Sequence, residues 1–372
     1  MRQDRIQTFS VGYAEDQYSE LPYARIVAKH IGAEYNEVIL GPEDFFSSLP
    51  KLIWHEDEPI VWPSSVALHF VSQLASEKVK VVLSGEGGDE IFAGYLKYRV
   101  TLWNMLAGPV YRRLVPSAIR SGIRQLLGAR TIPDYFRRKL CHSFLYYPAE
   151  FEKIYFDNFY SVFPQDEQPQ LFTGVVAAEL STSNAYSNSM RFFSPGENNK
   201  SLLENLLYLD IKTYLVELLM KQDQMSMSTS LESRVPFLDH KFVEFAMGIP
   251  ADLKVRNMSG KYLLRRAMAG RLPESILKRG KKGFPTPIRP WLRNQLFEKL
   301  SEVLTDGRLE DRGIVRPEAV SQILEAHRKG SSKATEGCWR LLNFELWCRI
   351  FFDNDFKFIS HPAVIAEGIP LA

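Results

Sequence analysis

The part of this sequence best suited to chemistry is a run of glycine and acidic residues, SGEGGDE, at Ser84–Glu90. Its three glycines let the backbone approach a ligand closely and offer amide N–H groups to it. Its three carboxylates would repel a bare phosphate. They favour either a Mg²⁺ ion between carboxylate and phosphate or a carboxylate that handles an amine. A structural alternative is a glycine-rich turn whose carboxylates cap the next helix.

The elements before this run predict where it lies in the fold. The apolar run Val79–Leu83 predicts a short strand buried on both faces, and the acidic turn begins where that strand ends. Ligands of open parallel sheets bind just beyond the carboxyl ends of the strands. Strand and helix patterns alternate upstream, which predicts parallel pairing through crossovers. The predicted elements are strands at Gln7–Val11, ended by Gly12, and Tyr35–Leu40, and helices at Leu21–Ile31, stopped by Gly32, at Pro42–Trp54, and from a cap at Ser64 or Ser65 to Glu77.

This alternation is lost between about residues 101 and 200. Eleven aromatic residues lie between Tyr135 and Phe163, interleaved with charges of both signs. A stacking platform for nucleic acid would need a basic groove beside the rings. We therefore interpret the region as a helical layer that packs its aromatic side chains inward. From Ser201 onward the apolar spacing predicts helices, the last of them at Cys338–Phe352.

The composition of the 372-residue chain is that of an ordinary soluble globular protein, with 45% hydrophobic and 24% charged residues. The net charge of +2 gives no electrostatic case for a nucleic-acid or membrane-surface partner. The longest apolar stretch, around Leu202–Met220, carries four charged residues, so it does not predict a membrane span. The 3 cysteines lack metal-binding spacing, which predicts free thiols in a reducing, cytoplasmic setting.

The run SGEGGDEIFAGY at Ser84–Tyr95 resembles a motif of the asparagine synthetase family, glutamine-hydrolysing type. Other blocks of the family pattern occur in the family's order, so the resemblance covers about residues 7 to 350. It is weak only between about 105 and 200. The other blocks are TFSVG from Thr8, DEP at Asp57–Pro59 with Ser64 and Ser65, a series from Asp210 to Asp239, GKYLLR at Gly260–Arg265 and KKGF at Lys281–Phe284. No Walker A, dinucleotide-binding or G-x-S-x-G fingerprint competes with it.

The resemblance implies an α/β fold in which a partial, adenine-nucleotide α-hydrolase-like parallel sheet carries flanking helices. A large, mostly helical carboxyl-terminal part completes it. On this basis we expect residues 1–100 to form a truncated nucleotide-binding α/β unit and residues 101–200 an aromatic-rich helical insertion. Residues 201–372 would be the helical part that completes the synthetase domain.

The activity that the resemblance implies is ATP-dependent amide synthesis. A side-chain carboxylate of aspartate would attack the α-phosphate of ATP, giving a β-aspartyl-adenylate and pyrophosphate. Ammonia, free or derived from glutamine, would then displace AMP and leave asparagine. The cofactors implied are ATP and Mg²⁺. The roles carried over from the family are ATP contacts at Val11, Ser84 and Gly85, Mg²⁺ ligation by Asp89, ammonia handling by Glu86, and stabilisation of α-phosphate charge by Lys281.

Several of these assignments keep a plainer alternative. Val11 is aliphatic and could be core, and Lys281 could belong to a solvated basic loop. We prefer Lys281 over Lys282 because the family lysine lies two positions before the glycine of Gly-Phe. Supporting roles around the reactants are expected for Tyr95 and for Glu232 with Arg234, which we interpret as a buried ion pair that braces the site.

Two features of the glutamine-dependent family members are not found in these residues. Met1 is followed by Arg2 and the first cysteine is Cys141, so glutamine hydrolysis would need a separate glutaminase domain or chain. The family's pyrophosphate-binding run, Ser-Gly-Gly-x-Asp-Ser, is expected before Thr8 together with the central strand of the sheet. We therefore expect residues 1–372 alone to be inactive in asparagine synthesis. The alternatives are a non-catalytic remnant that binds a partner, and a related ligase that forms another amide or closes a β-lactam ring.

Overall fold

Parallel strand pairing organises the first hundred residues. The computed structural model describes residues 5–128, 139–148, 150–194, 200–257, 259–280 and 283–355. Strand β1 (Gln7–Tyr13) pairs in parallel with β2 (Glu34–Leu40), and α1 (Leu21–Ile31) forms the crossover between them. Gly32 ends α1 in the left-handed conformation, with φ of 68°, as predicted. A second parallel pair joins β3 (Val81–Leu83) to β4 (Glu232–Arg234).

The prediction that Gly12 ends the first strand is wrong, because β1 continues to Tyr13. A Cβ atom added to Gly12 would lie 2.5 Å from the side chain of Leu21 on α1. The glycine is therefore required by the close packing of α1 on β1, and no turn occurs there.

The prediction of a strand buried on both faces is also wrong for β3. Val81 and Leu83, which point to the same face, are 42% and 72% exposed. Among the described residues β3 is hydrogen-bonded to β4 alone, and the β1–β2 pair forms a separate sheet. An apolar strand is buried on both faces only when a packed layer covers each face. No layer of described residues covers the face of β3 that carries Val81 and Leu83.

Helices make up most of the remaining described structure. They are α2 (Pro42–Glu56), α3 (Ser64–Ser76), α4 (Gly88–Ile91), α5 (Leu96–Leu114), α6 (Ser117–Gly128), α7 (Gln168–Leu171), α8 (Gly174–Ser181), α9 (Ser187–Met190), α10 (Leu202–Lys212), α11 (Tyr214–Met227), α12 (His240–Met247), α13 (Ala251–Lys254), α14 (Tyr262–Ala267), α15 (Glu274–Leu277), α16 (Ile288–Arg293), α17 (Phe297–Thr305), α18 (Arg308–Asp311), α19 (Pro317–Arg328) and α20 (Ser332–Phe351), with a π-helical turn at Lys153–Asp157 and a 3₁₀ turn at Pro236–Leu238.

Helix boundaries follow local capping where the sequence supplies it. Ser201 and Glu204 form a reciprocal capping box that starts α10. Helix α20 begins at Ser332 rather than at the predicted Cys338, because the Ser331 hydroxyl accepts a hydrogen bond from the amide of Ala334. Helix α3 follows Pro63 and has no side-chain cap, so the predicted capping role of Ser64 or Ser65 is wrong.

The main core joins the start of the described chain to its end. The ring of Phe45 on α2 packs against Trp291 on α16 and Trp339 on α20, with centroids 5.3 and 5.6 Å apart. A second cluster lies between α5, the π-helical turn and α10, and a third between α4 and α12. Within the described ranges, no helix combines the length and hydrophobicity that crossing a membrane requires.

Candidate active site

The acidic turn lies where β3 ends, as the sequence predicts. The amide of Ser84 donates to the carbonyl of Arg234 at 2.9 Å, which extends the β3–β4 ladder by one residue. Gly87 then adopts a φ of 86°, and a Cβ atom there would lie 2.2 Å from Leu238. Helix α4 starts at the next residue without any side-chain cap. Asp89 and Glu90 lie in the first turn of α4, so the structural alternative of carboxylates at a helix terminus stays open.

Asp89 is held in an ion pair with Lys261, whose Nζ lies 2.9 Å from its Oδ1. Two glycines allow the segments that carry these residues to cross closely. A Cβ atom on Gly94 would lie 1.8 Å from the Asp89 carboxylate, and one on Gly260 would lie 2.2 Å from the carbonyl oxygen of Ala93. The backbone crossing thus determines where the Lys261 ammonium meets the turn.

The residues around Asp89 fit a magnesium ion held mainly by substrate phosphates. Mg²⁺ commonly takes one or two protein carboxylates and fills its other positions with phosphate oxygens and water. The Asp89 side chain is 16% exposed, so part of it remains accessible to a ligand. Within the part of the chain that the structure describes, no group of three or more His, Cys, Asp or Glu side chains converges on a metal position. Asp89 could therefore hold the ion only together with a bound nucleotide.

Glu86 faces a different lysine. Lys221 of α11 is buried, and its Nζ lies 3.5 Å from the hydroxyl of Ser64 at the start of α3. Burial lowers the pKa of Lys221, and the nearby carboxylates of Glu86, Glu56 and Glu217 oppose that lowering. The buried Lys221 side chain is therefore within electrostatic range of the carboxylate that the sequence assigns to ammonia handling.

Tyr95 is linked directly to the turn. Its hydroxyl donates a hydrogen bond of 2.7 Å to Oε1 of Glu90, the residue after Asp89. Glu90 is fully buried, and burial raises its pKa while the hydrogen bond from Tyr95 opposes the rise. Through this hydrogen bond Tyr95 can position Glu90, which is consistent with the supporting role predicted for it.

The ion pair between Glu232 and Arg234 is present, with Nε and Oε1 2.7 Å apart, but it is not buried as predicted. The two side chains are 53% and 65% exposed. They lie opposite Val81 and Leu83 in the parallel register, on the same uncovered face of the β3–β4 pair. An exposed ion pair contributes little to stability, so it does not brace the site.

The remaining predicted residues lie apart from this cluster or outside the described ranges. The Val11 side chain is buried in the main core, which satisfies its plainer interpretation, and its backbone contact with ATP stays a prediction. Lys281 and Lys282 lie outside the described residues. The loop before them is anchored by Arg279, which forms an ion pair with Glu20 and stacks over the ring of Tyr23.

Sequence reasoning missed the charged residues that surround the turn. Lys221 and Asp210 lie in blocks that resemble the family, yet neither was singled out as a site residue. Glu56 and Lys97 fall just outside the quoted motifs. The available signal was a charged residue inside an otherwise apolar helical face, since such a residue is buried only with a partner.

Fold and site together define a helix-rich α/β protein with a ligand site where a parallel strand runs into a glycine-rich acidic turn. The chain belongs to the asparagine synthase family, because the model of that family matches residues 1–349.

Individual relatives agree with this assignment. The chain is 33% identical over 355 residues to "Asparagine synthetase [glutamine-hydrolyzing] 1" of Bacillus subtilis (strain 168), covering 94% of this chain and 53% of that protein. It is 33% identical over 361 residues to a "Putative asparagine synthetase [glutamine-hydrolyzing]" of Mycobacterium tuberculosis (strain ATCC 25618 / H37Rv), covering 94% of this chain and 51% of that protein. A more distant relative is "Amidase chyE" of Penicillium rubens, 25% identical over 344 residues, 86% of this chain and 49% of that protein. The chain spans about half the length of these relatives.

Proposed function

We propose that this chain is the synthetase part of an ATP-dependent ligase that converts aspartate to asparagine through a β-aspartyl-adenylate. One observation supports this most strongly. The turn that carries the family motif presents two carboxylates, Asp89 in an ion pair with Lys261 and Glu86 within electrostatic range of the buried Lys221. The two carboxylates can therefore have different roles, with Asp89 binding at the charged phosphates and Glu86 binding the amine.

In the first step an oxygen of the aspartate side-chain carboxylate attacks the α-phosphorus of ATP. The bond from that phosphorus to the bridging oxygen breaks, and pyrophosphate leaves. Asp89 would hold Mg²⁺, which when bound supplies charge neutralisation at the phosphates. Lys261 shares the Asp89 carboxylate and would orient it toward that region. Lys281 is proposed to stabilise the charge that develops on the α-phosphate.

In the second step the nitrogen of ammonia attacks the acyl carbon of the adenylate. The carbon–oxygen bond to AMP breaks, and AMP leaves with the former carboxylate oxygen. Glu86 is proposed to hold the incoming amine and to accept the proton that the nitrogen loses. The buried side chain of Lys221 lies within electrostatic range of this carboxylate.

The proposed sheet also goes beyond the two pairs of strands. We infer that both belong to one adenine-nucleotide α-hydrolase-like sheet in the cytoplasmic enzyme. Both pairs are parallel, α3 packs on β1 and β2, and α11 packs on α3 and β4, so the same two helices support both. A parallel strand between β1 and β3 would hydrogen-bond to the free edges of both and join the two pairs into one sheet.

The test is an assay on the protein as its gene encodes it, with aspartate, ATP, Mg²⁺ and ammonia. We expect asparagine and pyrophosphate to form in equal amounts, and glutamine to replace ammonia only when a glutaminase domain or chain is present. Release of ADP and phosphate instead of AMP and pyrophosphate would contradict the adenylate route. Amide formed from another carboxylic acid and not from aspartate would favour a ligase of different acyl specificity.

A further inference from the structure

A buried carboxylate lies behind the acidic turn and collects an unusual number of donors. Asp210 on α10 is fully buried. Its Oδ1 accepts hydrogen bonds from the hydroxyls of Tyr155 and Tyr160 at 2.6 and 2.7 Å, and its Oδ2 accepts one from Tyr98 at 2.6 Å. The ammonium of Lys97 lies 2.7 Å from the same Oδ2. Burial raises the pKa of all three tyrosines, so the hydroxyls remain protonated donors.

The Lys97 ammonium is enclosed by aromatic rings as well as by this carboxylate. Its Nζ lies 3.8 Å from the ring centroid of Tyr214, 4.6 Å from that of Tyr160 and 4.7 Å from that of Tyr95. Burial lowers the pKa of Lys97, and the charge of Asp210 opposes that effect. A buried ammonium is tolerated only when it is paired, and the ring faces add cation–π attraction.

This lysine cage and the acidic turn share one residue, Tyr95. Its ring packs against Tyr98 and Tyr214 at centroid distances of 5.9 and 5.8 Å, while its hydroxyl holds the buried Glu90 carboxylate. Glu90 directly follows Asp89. The contacts therefore run without a gap from Asp210 through Lys97 and Tyr95 to the turn.

The donors come from separate parts of the chain. Tyr155 lies in the π-helical turn Lys153–Asp157, and Tyr160 follows it, so both belong to the aromatic-rich region to which the sequence assigned no role. Ion pairs of this kind are rarely needed for stability, since apolar side chains of the same volume serve as well. Such a pair can instead fix the local geometry, because a buried carboxylate satisfies several hydrogen-bond donors at once in only one arrangement of those donors.

We propose that Lys97 and Asp210 are positioning residues that hold Tyr95 and Glu90, and through them the Glu86–Asp89 turn. The aromatic-rich region takes part through the hydroxyls of Tyr155 and Tyr160. This inference rests on the proposed function for its effect on rate. Its effect on the order of the turn is independent of any reaction.

The test compares Asp210→Asn with Asp157→Asn. Asp157 is the matched control, because it is also buried, accepts a hydrogen bond from Tyr186 and pairs with Lys153 at 3.1 Å, yet it has no contact with Tyr95 or Glu90 among those described. Both variants are expected to lose stability. Asp210→Asn should also speed hydrogen exchange at the amides of residues 84–95 and lower kcat for amide synthesis by roughly 10- to 100-fold with little change in KM, since displacement by about 1 Å costs about that much.

Equal exchange at residues 84–95 in the two variants would overturn the inference, whatever the activity. If Asp210→Asn does not fold, Tyr160→Phe replaces it, because it removes one hydroxyl and keeps the ring. It should raise exchange at the same amides and lower kcat by roughly 3- to 10-fold. If no variant or native protein makes any amide, the proposed function fails and the exchange experiment still decides whether the turn is positioned by Asp210.

Discussion

Two carboxylates of the same turn are distinguished by the cation that each one meets. Asp89 forms a partly accessible ion pair with Lys261 at 2.9 Å. Glu86 lies within electrostatic range of the buried Lys221 side chain on α11. The environments differ in the element that supplies the lysine, and the proposed function assigns the two carboxylates different tasks on that basis.

Substitution of each carboxylate by its amide should therefore impair different steps. Asp89→Asn removes a metal ligand, so Mg²⁺-ATP binding and pyrophosphate release should both fall by roughly 100-fold. Glu86→Gln should retain more pyrophosphate release than amide formation, because general-base assistance is worth about 10²–10⁴-fold in the amide step alone. Parallel measurement of pyrophosphate and asparagine checks this. Equal losses in both products for both variants would mean that the turn is structural.

Lys281 is expected to act on the transition state of adenylate formation. Lys281→Ala should lower the rate about 10²–10³-fold while changing nucleotide affinity much less, because the donor matters most when charge develops. The matched control is Lys282→Ala, which should retain near-normal turnover. The reverse pattern would move the role to Lys282, and no effect from either variant would mean that the loop is a basic surface.

Glu56, at the end of α2, should leave a signature in the pH dependence of stability. Burial, reinforced by the charges of Glu217 and Glu58, raises its pKa from 4.5 to about 7 in the folded protein, although Lys221 opposes the rise. Between these values the unfolded chain has lost a proton that the folded chain keeps, so the free energy of unfolding falls as pH rises and the loss is complete above about pH 7.

The variant Glu56→Gln cannot ionise and should escape this penalty. Relative to the native protein it should gain about 1–3 kcal/mol of stability between pH 5 and pH 8, measured by urea unfolding at each pH. Glu77→Gln is the control, since that side chain is exposed and does not contribute to the raised pKa of Glu56, so no comparable change of profile is expected. A constant difference between Glu56→Gln and the native protein across this range would show that Glu56 is ionised throughout.

At the scale of elements, the site depends on two backbone segments that cross. Residues 92–94 and 259–261 meet through a hydrogen bond of 2.9 Å from the amide of Lys261 to the carbonyl of Phe92. Ala93 and Lys261 both adopt left-handed conformations with φ of 54°, which non-glycine residues rarely do. The crossing places the start of α14 beside the turn, so that Lys261 lies within ion-pair distance of Asp89.

Gly94→Ala should disrupt this crossing. The new Cβ would lie 1.8 Å from Asp89 Oδ1 and 2.5 Å from Lys261 Cε, so the ion pair has to move. We expect a loss of about 1–3 kcal/mol of stability and weaker Mg²⁺-ATP binding by isothermal titration. Gly122→Ala in α6 is the control, because its Cβ would meet no atom within 4 Å and alanine favours helices. Unchanged nucleotide binding in Gly94→Ala would show that the crossing does not control the site.

At the scale of the whole molecule, α20 near the end of the described chain donates hydrogen bonds to the segment between α2 and α3 near its beginning. The indole of Trp339 and the guanidinium of Arg340 donate to the carbonyl of Val61 at 3.0 and 2.8 Å, and the indole of Trp347 donates to that of Asp57 at 2.9 Å. These contacts order the loop between α2 and α3, next to Lys221. The main core thus unites residues that the sequence assigned to its first and third units.

The same helix contains the most deeply buried ion pairs. Glu345 is fully buried between Arg312 and Arg349, with Nε–O distances of 2.6 and 2.7 Å. Glu345→Gln would leave Arg312 paired with Asp353 and Arg349 paired with Asp306, and we expect a loss of about 1–3 kcal/mol in urea unfolding. Glu325→Gln breaks an exposed pair with Lys329 and should leave the unfolding midpoint unchanged. Similar midpoints for the two variants would mean that solvent reaches Glu345.

Much of the local structure could be predicted from the sequence, because its causes are local. The period of the apolar residues and the glycine at position 32 determine α1, and the strand-to-turn transition at Leu83 locates the acidic site. The family motifs identify the family for the same reason, since they are contiguous runs. The lysines near Asp89 and Glu86 could not be predicted this way, because Lys261 and Lys221 lie more than a hundred residues away from them in the chain.

The sequence by itself therefore determined the position of the turn, the carboxylates that it carries and the family to which the chain belongs. Only the tertiary structure decided which charges are buried and with what partners. The exposed pair Glu232–Arg234 and the buried pair Lys97–Asp210 each join a carboxylate to a cationic side chain, and the residue types alone do not show which pair is buried. Burial depends on which layers cover a residue, and that is a property of distant segments packed together.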